Sequence, residues 1–135
     1  MKIDQDYLKG LLEAFENAEE PTTDIEELQR LGFNYEDDKF IFHLQILADR
    51  MLVEGEGDNK NFLGYEKGID GYTSWGAIPL RLTANGHDFI EALRNKEVWE
   101  TIKSEFKDAS IGTLFKVSKE LLEGYAKKKI AALME

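Results

Sequence analysis

Few side chains of this 135-residue sequence have the types and spacing that catalysis or metal binding requires. It contains two histidines, His43 and His87, and no cysteine, which excludes disulfides, thiolate nucleophiles and thiolate metal sites. A histidine can serve as an acid, a base, a ligand or a pH switch. His43 lies beside the apolar stripe of a predicted helix and His87 in the first turn of another, where packing or local bonding is the commoner role. We keep His43 as a candidate contact residue and expect a structural role for His87.

The carboxylates are abundant, but most stand where helix starts explain them. Asp4 is the expected N-cap of one predicted helix and the run Glu36-Asp37-Asp38 lies in the first turn of another, and the positive end of the helix dipole favours acids there. A further group offers oxygen ligands without the register or terminal glutamate of an EF-hand: Glu54, Glu56, Asp58, Asn59 and Asn61. The sequence has no phosphate-binding loop, zinc-protease motif or nucleophile elbow. We therefore expect no enzyme, no catalytic residues, no metal site and no cofactor.

Three helices are predicted ahead of any strand. The first begins at Asp4 and ends at Glu20 before Pro21, and the second runs from Thr23, its expected N-cap, to Leu31. Gly32 separates it from a third helix capped by Asn34. That third helix has one apolar face wide enough to be buried, formed by Phe40, Ile41, Leu44, Leu47, Ala48 and Met51.

Strand patterns follow the third helix and helical patterns return after them. Leu52-Val53 and Ile78–Leu82 are predicted strands, and the glycine- and aromatic-rich segment between them is predicted to form a long hairpin tip. Thr83, Asn95 and Ser110 are expected to begin three further helices. This order predicts an α+β fold: a winged helix-turn-helix of three helices and a two-stranded β-wing, with additional C-terminal helices. We place the winged-helix module at 1–94, its wing at about 52–82, and a helical extension packed on it at 95–135.

The sequence resembles an uncharacterised winged-helix family of bacterial and phage proteins, catalogued as a domain of unknown function. The resemblance rests on Met1-Lys2-x-Asp4, on Phe42-His43-Leu44-x-x-Leu47-Ala48 with Leu52-Val53-Glu54, and on Leu82-Thr83-x-x-Gly86-His87-Asp88-Phe89. It continues through Arg94, Val98 and Trp99. The sequence departs from the pattern at Ala84, where an aromatic is common, and at Met51, where a glycine often ends the third helix. The resemblance implies the winged-helix fold but no established function.

The charge distribution disfavours nucleic acid as the partner. Residues 1–59 hold 5 Lys and Arg against 16 Asp and Glu, a net charge of −11, whereas residues 60–135 hold 12 against 11. A surface of this kind repels phosphate and favours basic partners. In many winged-helix repressors the third helix enters the major groove, so we consider both kinds of partner for the outward face of the third helix and for the wing. The candidate contact residues are Lys39, Phe42, His43, Gln45, Ile46, Arg50, Phe62, Tyr65, Tyr72 and Trp75.

We therefore predict a non-catalytic winged-helix regulatory or accessory protein of bacterial or phage type that acts mainly through protein contacts. The alternative is a sequence-specific DNA-binding transcriptional regulator, and a metal-dependent enzyme is a distant third. No signal peptide or membrane span is recognisable, which predicts a cytoplasmic protein without a membrane partner. The apolar stripe of the last helix, from Leu114 to Tyr125, predicts a homodimer through that helix, with docking on its own chain as the competing outcome.

Overall fold

The computed structural model describes all 135 residues and is a mixed α+β structure. Its six helices and four short strands are α1 (Gln5–Glu16), α2 (Ile25–Arg30), α3 (Asp38–Asp49), β1 (Val53–Gly55), β2 (Tyr65–Lys67), β3 (Thr73–Trp75), β4 (Leu80–Leu82), α4 (Ala84–Arg94), α5 (Lys96–Glu105) and α6 (Ile111–Leu133). None of the helices is long and apolar enough to cross a membrane.

The strands form two separate antiparallel pairs. β1 pairs with β4, with Val53 opposite Leu82 and Gly55 opposite Leu80. On the other edge of β4, the amide and carbonyl of Leu80 bond to those of Thr23 at 2.8 Å each. β2 and β3 pair with each other only, with Tyr65 opposite Trp75. The predicted hairpin therefore has a base, β1 and β4, and a second hairpin at its tip, β2 and β3.

The helix caps agree with the sequence prediction at four helices and differ at two. Asp4, Thr83, Asn95 and Ser110 each accept a hydrogen bond from a backbone amide in the first turn of the helix that follows. The predictions of Thr23 and Asn34 as caps are wrong. Asp24 caps α2, because the backbone of Thr23 is extended and bonded to β4. Asp37 precedes α3, and the side chain of Asn34 accepts from the amide of Glu36 instead.

Two of the segments that carry the resemblance meet at the end of α3. The Thr83 hydroxyl donates to the Met51 carbonyl at 2.6 Å, and the Thr83 amide donates to the Leu52 carbonyl at 3.0 Å. Gly86 lies so close that a Cβ atom there would be 2.1 Å from the Leu52 carbonyl oxygen. Only glycine permits this approach, so Leu-Thr-x-x-Gly fastens the start of α4 to the end of α3.

One apolar core connects all six helices with the β1–β4 pair. Buried side chains from α1, α2, α3, α4, α5 and α6 belong to a single cluster of 22 residues. Leu44 and Leu47 of α3 and Val98 of α5 have no exposed surface, and Ile102 of α5 is almost as enclosed. The last helix joins the core through Leu114 near its beginning, and its apolar stripe packs against the same cluster as far as Tyr125, which is the docking on its own chain named above as the competing outcome. The helices after residue 94 thus bury their apolar faces against those before it.

Candidate interaction surface

α3 presents two faces with different environments. Phe40, Leu44 and Leu47 point into the core and are fully buried. On the opposite side, Gln45 is half-buried and Arg50 is exposed. The apolar periodicity accounts for the buried face, because residues three and four apart lie on one side of a helix. The prediction of Met51 on this face is wrong, since it lies beyond the end of α3 and is exposed. What covers the other face comes from parts of the chain distant in sequence.

The β2–β3 hairpin lies over one part of this outward face, at Gln45. The Tyr65 hydroxyl donates a hydrogen bond to the Gln45 side-chain oxygen, and the Gln45 side-chain nitrogen donates to Asp49 at 2.9 Å. Burial, together with the nearby charge of Asp49, raises the pKa of Tyr65. Both polar groups of Gln45 are therefore engaged within the chain, so pairing with an adenine base would compete with these bonds.

Trp75 anchors the same hairpin. Its ring centroid lies 4.8 Å from that of Tyr65 and 5.9 Å from those of Tyr35 and Phe40. Its indole nitrogen is buried without a hydrogen-bond partner. Tyr65 and Trp75 thus face inward, onto α3.

Three exposed apolar residues lie on the hairpin or just before it. Phe62 is 38% exposed and Tyr72 is 78% exposed, and Ile69 at the turn between β2 and β3 is completely exposed. The four aromatic candidates are therefore divided: Phe62 and Tyr72 are available to a partner, whereas Tyr65 and Trp75 hold the hairpin. The sequence did not single out Ile69. The sequence does contain a signal for its exposure: Ile69 is a single apolar residue within the predicted turn Gly68-Ile69-Asp70-Gly71, where burial is unexpected.

His43 does not lie on the exposed face of α3. It has no exposed surface: its Nε2 accepts from the Asp4 amide at 2.9 Å and its Nδ1 donates to the Lys39 carbonyl at 2.7 Å. The Tyr7 ring packs on it, 4.7 Å between centroids. Burial lowers the pKa of His43, which favours the neutral ring that this bonding requires. Since no partner can reach it in this structure, the proposed contact surface omits His43.

Several basic side chains on or near α3 and the strands, among them the candidate Lys39, are paired with acids. Lys39 binds Asp4 at 2.7 Å, and this hydrogen bond holds the Asp4 pKa below its ordinary value. Glu54 receives both Arg81 and Lys60, the latter at 3.5 Å. These pairs are partly exposed and contribute little stability, but they neutralise the local positive charge. Lys67 on the hairpin is exposed and has no ion pair.

Arg50 lies beside the beginning of α6. A Cβ atom built on Gly112 would be 3.4 Å from the Arg50 Cζ atom, so the guanidinium occupies the space next to that glycine. Arg50 is nevertheless exposed and belongs to no ion pair. Among the basic candidates on α3, it is the one whose charge is not neutralised.

Phe42 and Ile46 form one wall of a shallow groove of about 370 Å³. The other walls are the N-terminal residues Met1–Ile3 and the turn between α5 and α6, Lys107–Ile111. This groove could not be read from the sequence, because its walls are more than 35 residues apart and no periodicity links them. It gives the two apolar candidates of α3 a surface suited to an apolar side chain of another protein.

No group of three or more histidine or acidic side chains is placed to hold a metal ion. Glu54, the first of the oxygen ligands considered for calcium, is instead bound to Arg81 and Lys60.

Comparison with known proteins gives a family assignment. No curated protein and no solved structure matches the sequence. A family model described as "Hypothetical protein (DUF2513)" matches residues 2–112, which include everything from the N-terminal segment to the start of α6. The chain therefore belongs to this family of hypothetical proteins.

Proposed function

We propose that this chain is a non-catalytic winged-helix accessory protein, of the bacterial and phage kind that the sequence resembles, which acts mainly through contacts with another protein. The winged-helix interpretation is supported by the element order and by the position of β4 between Thr23 and β1. In this interpretation α3 is the helix that would enter the major groove, and β1 and β4 form the base of the wing.

The observation that carries the proposal is the contact of the β2–β3 hairpin with the outward face of α3, where Tyr65 bonds to Gln45. A groove-reading helix needs free polar and basic side chains on its outward face. Here Gln45 is engaged by Tyr65 and Asp49, and Lys39 is paired with Asp4. The same hairpin displays Ile69 and Tyr72, and exposed aromatic residues are frequent at the energetic centres of protein interfaces.

Charge supports the same choice. Residues 1–59, which include α3, carry 11 more acidic than basic side chains. Binding to duplex DNA draws most of its affinity from the neutralisation of phosphates, and this half of the molecule offers little positive charge for that purpose. A basic surface on another protein is the complementary partner. The proposal includes a phage-type inhibitor that presents its acidic groups to a basic surface of its target protein.

The experiment compares the two partner classes on the full chain. A DNA regulator that contacts six to ten phosphates loses about 10³- to 10⁵-fold in affinity between about 50 and 200 mM salt. We expect negligible duplex binding at about 150 mM salt in fluorescence anisotropy with a randomised duplex library. Tight, sequence-selective binding that is lost on Lys39→Ala or Arg50→Ala would move the protein to the alternative, a DNA-binding transcriptional regulator.

The protein arm of the test uses affinity capture with quantitative mass spectrometry. Ile69→Ser and Tyr72→Ser remove the exposed apolar groups of the hairpin, and Phe42→Ala removes one wall of the groove. We expect at least one of these variants to lose a partner that the wild-type chain captures. Lys67→Ala, on the same hairpin, is the matched control and is expected to retain that partner. Equal capture by all four variants would contradict the assigned surface.

A further inference from the structure

The C-terminal end of α6 projects from the molecule. Every residue from Ala126 to Glu135, called the arm below, is exposed. It carries three consecutive lysines, Lys127–Lys129, and none of them has an ion pair within the chain. Its apolar residues are also uncovered: Ile130 is 59% exposed and Leu133 75%. Nearly all of α6 follows the segment that the family model matches, which ends at residue 112.

An acidic groove lies elsewhere on the same chain, where α1 ends and α2 begins. Its volume is about 450 Å³. Four carboxylates and one arginine line it, and Arg30 is already paired with Glu27. Glu19 and Glu20 have no ion pair. The full lining is Ala14, Asn17, Ala18, Glu19, Glu20, Thr22, Thr23, Asp24, Glu27, Arg30 and Leu31.

Two further features make this groove suitable for a cation. Thr23 lines it, is 8% exposed, and its buried hydroxyl oxygen has no hydrogen-bond partner in the chain. A buried hydroxyl without a partner is costly, and its lone pairs would suit an ammonium donor. The last turn of α1 also ends at this groove without any basic residue to offset its negative dipole end.

The carboxylates of the groove are spread out rather than convergent. No three acidic side chains in the molecule are placed to hold one metal ion. Charges distributed along a groove match a segment with several separate positive groups better than they match a single ion. Leu31, 52% exposed at the same groove, adds an apolar contact for such a segment.

We propose that the lysine-bearing arm of one chain docks in the acidic groove of a second copy. The arm supplies the required chemistry, three ammonium groups followed by Ile130 and Leu133. Within its own chain it stays exposed, so it is free to engage another copy. Two copies that exchange arms make the same contact twice, which closes a two-fold dimer. This association is independent of the partner proposed for the hairpin, and either can fail without the other.

The test is a charge-swap experiment on full-length chains, followed by sedimentation velocity at about 50 mM salt, where exposed charges are weakly screened. The wild-type chain is expected to form a concentration-dependent dimer that weakens at about 500 mM salt. The arm variant carries Lys127→Glu, Lys128→Glu and Lys129→Glu. The groove variant carries Glu19→Lys and Glu20→Lys. Each variant alone is expected to be a monomer.

An equimolar mixture of the two variants is the decisive sample. The reversed arm meets the reversed groove, and the unchanged arm meets the unchanged groove, so we expect the dimer to return. All the substituted residues are exposed, and circular dichroism checks that each variant is folded. A matched control reverses three exposed lysines elsewhere and should leave the dimer intact: Lys67→Glu, Lys96→Glu and Lys107→Glu.

A wild-type chain that remains monomeric at about 50 mM salt up to the highest soluble concentration would overturn the proposal. So would a dimer that survives both variants. A dimer that the arm variant abolishes, but that the mixture does not restore, would show that the arm binds somewhere other than the acidic groove, and this too rejects the assignment.

Discussion

At the scale of single residues, the bonding of His43 makes stability depend on pH. Its folded pKa lies below the ordinary value of 6.5 because the ring is buried. Between the two pKa values the unfolded chain binds a proton that the folded chain does not, so the free energy of unfolding falls as pH drops below about 6.5. We expect urea denaturation to give a lower midpoint at about pH 5.5 than at about pH 7.5.

Substitution of each histidine by glutamine tests this prediction. His43→Gln keeps an acceptor for the Asp4 amide but does not titrate, so its stability is expected to change less over the same pH interval. His87→Gln, at an exposed position, should keep the wild-type dependence. The lowered pKa of Asp4 acts below its ordinary value of 3.8, outside this interval. An unchanged pH dependence in His43→Gln would contradict the role assigned to His43.

The surroundings of His43 also illustrate what the sequence can give at this scale. Asp4 was predicted as a helix cap from its position before an apolar-striped helix, and it is one. Its bonds to Lys39 and to His43 join residues 35 and 39 positions apart. Local patterns do not encode such pairings. The apolar periodicity of the third helix therefore predicts that His43 lies at the edge of the buried face. It does not predict that the N-terminal segment covers His43.

At the scale of elements, the end of α3 stores conformational strain in one residue. Met51 has a φ of +56°, in the left-handed region where residues with a Cβ atom are disfavoured. Met51 is 70% exposed, so its side chain contributes little packing. We expect Met51→Gly to stabilise the protein by about 0.5 to 1 kcal/mol, the relief of strain less the greater entropy loss of glycine.

Chemical denaturation measures this change in the free energy of unfolding. Met51→Ala is the control, because it removes the side chain but keeps the Cβ atom, and it should stay within about 0.5 kcal/mol of the wild type. If alanine stabilised the chain as much as glycine, loss of the exposed methionine side chain rather than backbone strain would be the cause.

The hairpin marks the limit of sequence reasoning at the element scale. Its existence follows from the strand patterns and from the glycines that separate them. Its direction does not, because Tyr65 and Trp75 lie in strands of only three residues whose alternation does not say which side faces the protein. The contacts of Trp75 with Tyr35 and Phe40 decide it. For this reason the sequence named the aromatic candidates but could not separate the anchoring pair from the exposed pair.

At the scale of the whole molecule, the sequence predicted which helices have apolar faces but not the depth to which the C-terminal helices enter the core. Val98 and Ile102 of α5 are packed in the same cluster as Leu44 of α3. The division into a module at 1–94 and an extension at 95–135 describes the order of elements along the chain. Because the two parts share one core, they are expected to unfold together.

We expect the chain to unfold in one transition to which both parts contribute. Leu44 is completely buried and Ile102 is 1% exposed, so Leu44→Ala and Ile102→Ala should each lower the free energy of unfolding by about 2 to 5 kcal/mol. Ile69→Ala, at a completely exposed side chain outside the arm and the acidic groove, is the control and should stay within about 0.5 kcal/mol of the wild type. Calorimetry that resolves two transitions, with Leu44→Ala shifting one and Ile102→Ala the other, would mean that the helices after residue 94 fold as a separate unit. A single transition that both substitutions shift would show that α3 and the helices after residue 94 unfold as one cooperative unit. Each substitution would then remove a large part of the total stability, which is about 5 to 15 kcal/mol for a typical domain.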